Sequence, residues 1–75
     1  MTDAQYKVKG TAALATAVAG MSADELKKYT AWGKTLSPAD LTNLQVGMGK
    51  AEEGVDPTAA ELKVMDAMKA ARKAS

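Results

Sequence analysis

Four candidate helix starts along the 75 residues carry the same local signal, a hydroxyl residue followed three positions later by a carboxyl or carboxamide residue. The signals are TDAQ at Thr2 to Gln5, SADE at Ser22 to Glu25, SPAD at Ser37 to Asp40 and TAAE at Thr58 to Glu61. In such a capping box each of the two side chains accepts a hydrogen bond from a backbone N–H that the first helical turn leaves without a partner. Pro38 strengthens the third signal, because its missing N–H costs nothing in the first helical position. Period-two alternation is missing and β-branched residues are sparse, so the chain is predicted to be all-α. The expected architecture is a compact bundle of four short helices, over about residues 3–20, 23–34, 38–53 and 57–73, in a single domain spanning 1–75. The fourth start is open to two readings: Asp56 capping ahead of Pro57, with Val55 against Ala60, competes with Thr58.

Apolar residues fall in stripes that agree with these starts. The first helix presents Tyr6, Gly10, Ala13, Leu14, Ala17, Val18 and Met21, and the second presents Leu26, Tyr29, Trp32, Gly33 and Leu36. The third has Leu41, Leu44, Met48 and Ala51; the fourth has Leu62, Met65, Met68 and Ala71, with Val64 widening the face. Hydrophobic staples are expected between Met1 and Tyr6, Met21 and Leu26, and Leu36 and Leu41. Connections of a few residues predict that successive helices pack near antiparallel or at a steep angle. SADELKKYTAWGK from Ser22 and TAAELKVMDAMKA from Thr58 share cap, Glu, Leu and Lys at equal offsets, a similarity that names no function.

The core must be assembled from few large side chains, because 16 of the 35 hydrophobic residues are Ala and neither Phe nor Ile occurs. Burying a large side chain yields roughly 1.5 to 3 kcal/mol, whereas fixing one residue's backbone costs about 1 to 2 kcal/mol. The balance is close to zero, so self-association or a partner is expected to complete the core, with Trp32 and Leu44 inside. A chain without Cys has no disulfide or thiolate zinc site, which suits a reducing compartment, and the cytoplasm is the expected location. Without His it also lacks the commonest transition-metal ligand and the commonest general base near neutral pH. Ten Lys and Arg against nine Asp and Glu favour no class of partner by net charge.

The uncharged run from Gly10 to Ala23 is 14 residues long and rich in Ala, too short and too weakly apolar to span a bilayer. Lys7 and Lys9 precede it and Ala17-Val18-Ala19 has the small-x-small form of a cleavage site. Asp3 and the shortage of large apolar residues favour the body of a helix over a leader.

One stretch, VGMGKAEEG from Val46 to Gly54, looks like a phosphate loop. A Walker-type loop would need Gly at Leu44 and a hydroxyl at Ala51, and a dinucleotide fingerprint would need Gly at Glu52. The stretch therefore reads as the small-residue C-terminal half of the third helix. In that reading Gly47 and Gly49 permit either a close approach by another helix or a break, Lys50 offsets the terminal carbonyls, and Gly54 ends the helix. Adjacent carboxylates such as Glu52 and Glu53 point about 100° apart on a helix and do not converge on one substrate. No catalytic, cofactor-binding or metal-binding residue is expected.

Two surfaces remain as candidates. The broad apolar face of the fourth helix, Val64, Met65 and Met68, together with Trp32, is the candidate for binding another protein or a second copy of the chain, since Met adapts to irregular surfaces and Trp anchors them. The expected function is that of a small non-catalytic helical protein acting by protein–protein binding, as a regulator, adaptor, assembly component or virus-encoded accessory protein. The alternative is a nucleic-acid-associated protein using the basic cluster Lys69, Arg72 and Lys73 at its C-terminal end.

Overall fold

The computed structural model describes residues 1–73. Within them the chain forms four helices and no strand: α1 (Asp3–Ala19), α2 (Ala23–Gly33), α3 (Pro38–Glu52) and α4 (Ala59–Lys73). All four capping boxes close as expected. The Gln5 N–H donates to Thr2 Oγ1 at 3.3 Å and the Thr2 N–H to Gln5 Oε1 at 2.8 Å. The SADE pair makes the same exchange at 3.1 and 3.2 Å, and the short-armed SPAD pair at 3.1 and 3.4 Å. At the last start, Thr58 and Glu61 exchange bonds of 3.2 and 2.9 Å, so Thr58 rather than Asp56 caps α4 and Pro57 lies outside the helix. The staples add little burial, because Met1, Leu26 and Leu41 stay 56, 40 and 43% exposed.

α3 runs unbroken through Gly47 and Gly49 and stops in a Schellman turn. The Val55 N–H reaches back to the Lys50 carbonyl at 2.8 Å and the Gly54 N–H to that of Ala51 at 3.2 Å. Gly54 occupies the left-handed region with φ of 69°, the place in this turn where a Cβ would clash with the following carbonyl.

The order of packing differs from the expectation that neighbours in sequence are neighbours in space. α1 packs on α3, α3 on α4, and α4 on α2. Only α3 and α4 are consecutive. The cause lies in the glycines of α3. A Cβ built on Gly49 would lie 2.9 Å from the Tyr6 Cα, and closer still to the Tyr6 carbonyl; a Cβ on Gly10 would overlap the Gln45 carbonyl. Backbone therefore touches backbone where α1 crosses α3, and the pairing of Tyr6 with Gly49 and Gly10 with Gln45 makes the two helices antiparallel. Gly47 faces the other way, since a Cβ there would meet Met65 Sδ at 2.7 Å and Glu61 Cβ at 3.0 Å. Two residues along a helix turn about 200°, so the G-x-G spacing gives α3 one bare strip for each neighbour.

The core is the cluster of Leu14, Leu44, Val64, Met65 and Met68, with Tyr29, Trp32, Leu36 and Met48 partly buried against it. Leu44 is fully buried as expected, while Trp32 is only half-buried at the margin. The stripes read for α3 and α4 are rotated from those observed. In α3 the buried residues are Leu44, Val46, Gly47 and Gly49, with Leu41 and Ala51 exposed. In α4 Leu62 is 43% exposed and Glu61 takes the place inside. The Cα radius of gyration, 11.8 Å, is close to the roughly 11 Å of a compact chain of this length.

Candidate functional site

A helix start places the most buried charge among the described residues. Glu61 is the third residue of α4 and bonds the Thr58 N–H in the capping box, yet it is only 5% exposed. Lys50, projecting from the last turn of α3, reaches it with Nζ 2.9 Å from Oε1 and 3.3 Å from Oε2. The same ammonium lies 6.0 Å from the centre of the Tyr6 ring, which brings α1 into the assembly. Burial pushes the Glu61 carboxyl up, but the Thr58 N–H, the Lys50 ammonium and the Thr58 hydroxyl outweigh it and hold the group below its ordinary 4.5. The Glu61 carboxylate in turn raises Lys50 above the ordinary lysine range, against a smaller opposing effect of burial. Lys50 lies in the last turn of α3, where its charge faces the terminal carbonyls as expected, and it also locks α3 to α4. A pair so enclosed is weak support for stability in itself, but removing one partner strands the other charge.

A second N-terminal glutamate does the same at the opposite end. Glu25, the third residue of α2, closes its capping box with Ser22 and also accepts from Arg72 Nη2 of α4 at 3.0 Å. The Ser22 N–H and then the Arg72 guanidinium hold its carboxyl below 4.5. The similarity between SADE and TAAE thus has a structural meaning: each N-terminal glutamate caps its own helix and clamps a cation from another. Lys9 makes a third link, from α1 to Glu53 beyond α3, and that contact raises the lysine. Asp24 and Lys28 pair along the surface of α2 at 3.0 Å.

The sequence-derived candidates separate accordingly. Val64, Met65 and Met68 lie in the core at 6, 8 and 4% exposure, where α1, α3 and α2 already cover them, so in this conformation they present no surface to a partner. The expected face was drawn by spacing alone, and the intramolecular neighbours have first claim on it. Trp32 stays half-buried beside Tyr29, ring centres 6.0 Å apart and planes tilted by 45°. Among the basic residues Lys69 and Lys73 are exposed, while Arg72 is committed to Glu25. The cluster therefore carries a carboxylate in its midst, which weakens its pull on phosphates.

The exposed large apolar side chains are Met1, Val8 and Val55 together with three leucines, Leu26, Leu41 and Leu62, which are 40, 43 and 43% exposed. Among the described residues no group of three or more His, Cys, Asp or Glu could hold a metal ion, and no helix is long and apolar enough to cross a membrane. Comparison with known proteins gives no lead: no protein-family model matches the chain, and neither a curated protein nor a solved structure matches it.

Proposed function

We propose that the chain is a small non-catalytic helical protein that works by binding protein, either a second copy of itself or another chain, in the cytoplasm. A regulator, an adaptor, an assembly component and a virus-encoded accessory protein all fit this reading. The observation that supports it is the exposure of Leu26, Leu41 and Leu62, three of the six leucines. In a chain this short of large apolar residues, leaving half of its leucines in contact with water is a stability loss of roughly 25 cal/mol for each Å² unburied, which a partner recovers. The lack of Cys supports the cytoplasmic placement.

Sedimentation equilibrium over a wide concentration range, together with affinity capture from the source cell, tests the reading. Expected is either a mass above that of the monomer or a partner retained by the native chain, in each case lost when Leu26, Leu41 and Leu62 are changed to Glu. A monomer at every concentration, with the same proteins captured by the native chain and the triple variant, overturns it. Nucleic-acid association through Lys69, Arg72 and Lys73 would show itself differently, as DNA or RNA binding that falls steeply with salt and disappears when the three are changed to Ala.

A further inference from the structure

Of the four helices, α2 is the one with no buried residue. It rests on α4 through Tyr29 and Trp32, half-buried against the core cluster, and through the Arg72–Glu25 bond. That bond is imperfect. The guanidinium gives Nη2 to Glu25, but its Nε–H is buried and finds no acceptor among the described residues. A buried donor without a partner disfavours the arrangement that encloses it, and water would satisfy it if α2 moved away. The remaining helices do not depend on α2 in the same way: α1 is joined to α3 by the glycine crossing, and α3 to α4 by Gly47 and the Lys50–Glu61 pair. Both ends of α2 are tethered where α1 ends and α3 begins, through residues 20–22 and 34–37, so it can swing as a unit on two short hinges.

We propose that α2 is a flap which opens from α4 while α1, α3 and α4 stay packed, and that the surface it uncovers binds a partner helix. This rests on the protein-binding reading and adds a covered place to its leucine surface: Val64 and Met68, on the stripe of α4 that carries Arg72, become the docking groove on opening, while Met65 stays against Gly47 of α3. The occupant is defined by what the groove already holds. It is an amphipathic helix with aromatic residues at i and i+3 and a carboxylate at i−4, the pattern of Tyr29, Trp32 and Glu25, with the carboxylate taken by Arg72. α2 is then an internal competitor that sets the apparent affinity through the fraction of time it is open.

Hydrogen exchange on the full chain tests the flap, and a fluorescent peptide of residues 22–36 supplied in trans tests the groove. Amides of α2 should exchange through an opening that leaves those of α1 and α3 protected. Glu25→Gln keeps the capping box but weakens the tie to Arg72, and should speed exchange in α2 alone by about two- to fivefold. The peptide should bind, and bind the Glu25→Gln chain more tightly by the same factor, while Lys28→Gln, which breaks only the pair along α2, should change neither readout. The proposal is overturned if α2 exchanges only together with α1 and α3, or if the peptide fails to bind a chain whose α2 opens. Capture of a leucine-dependent partner by a chain whose α2 stays shut would leave the protein-binding reading standing and remove this one.

Discussion

Adding one methyl group at Gly49 should do more damage than its size suggests. In an ordinary helix interior, Gly→Ala stabilises by about 1 kcal/mol, because alanine loses less backbone freedom on folding. At position 49 the new Cβ would lie 2.9 Å from the Tyr6 Cα, where ordinary contact begins at 3.4 Å, and it would overlap the Tyr6 carbonyl outright. The obstruction is backbone, which has no rotamer to yield, so α1 must back away and loosen the burial of Tyr6 and Leu14. Overpacking of this kind costs about 1 to 3 kcal/mol and occasionally more. We place Gly49→Ala at its upper end or beyond, a net loss of about 2 to 3 kcal/mol after the propensity gain. A chain of this length has roughly 4 to 11 kcal/mol of stability in total, and the melting temperature should fall by about 10 to 20 °C.

The matched comparison is Gly33→Ala in the last turn of α2, where nothing lies within 4 Å of the added methyl. That change should leave the melting temperature unaltered or raise it by a few degrees. Gly47→Ala should fall between the two, because the nearest obstacle is the thioether of Met65, the flexible end of a side chain, at 2.7 Å. Gly10→Ala should resemble Gly49→Ala, and the double variant should lose less than the sum, since the first methyl already parts the helices. Thermal melts followed by circular dichroism, with urea titrations alongside, measure all five variants against the native chain. If Gly49→Ala matches Gly33→Ala in stability, α1 and α3 do not meet backbone to backbone and the explanation of the G-x-G spacing fails.

Three further outcomes follow from single contacts. Gly54→Ala places a Cβ on the left-handed residue that ends α3 and should cost about 1 to 2 kcal/mol in urea titration, with Gly54→Asn costing less. Thr58→Ala removes the cap that the structure assigns to α4 and should cost about 1 kcal/mol, whereas Asp56→Ala should stay within about 0.5 kcal/mol; the reverse order would restore the other start. Because the folded carboxyl of Glu61 lies below its ordinary 4.5, the stability it contributes is present above that value and lost as pH falls through the lower, folded one. The urea midpoint should therefore decline as pH falls below about 4.5. Glu61→Gln should begin lower and decline less, while an unchanged slope would mean that the Lys50–Glu61 pair does not form.

Local chemistry was legible in the sequence, and contact across the molecule was legible only in part. The capping boxes could be read because a cap and its partner lie three residues apart, and even Asp40, with its shorter arm, closes its bond with Ser37. The end of α3 at Gly54 could be read for the same reason. What could not be read is which helices touch. Stripes of apolar side chains point to faces that bury side chains, but α1 and α3 meet through Gly10 and Gly49, which have none, so the stripe assigned to α3 missed that face. The interior place of Glu61 was hidden as well. Its partner Lys50 lies eleven positions away across a turn, and nothing in the residue types separates a glutamate that only caps from one that also pairs. Val64, Met65 and Met68 were recognised as an adaptable apolar face, but whether such a face turns inward depends on which neighbours arrive, here α3 and α2.

α3 is a continuous spine held between α1 and α4. Nuclear Overhauser spectroscopy of the isotopically labelled protein tests it most directly. The structure predicts cross-peaks between the α protons of Gly10 and the amide and α protons of Gly49, from Tyr6 to Gly49, and from Gly47 to Met65, on an unbroken series of sequential amide contacts from residue 38 to residue 52. A series interrupted between Gly47 and Gly49, with no cross-peak joining Gly10 or Tyr6 to that segment, would contradict it.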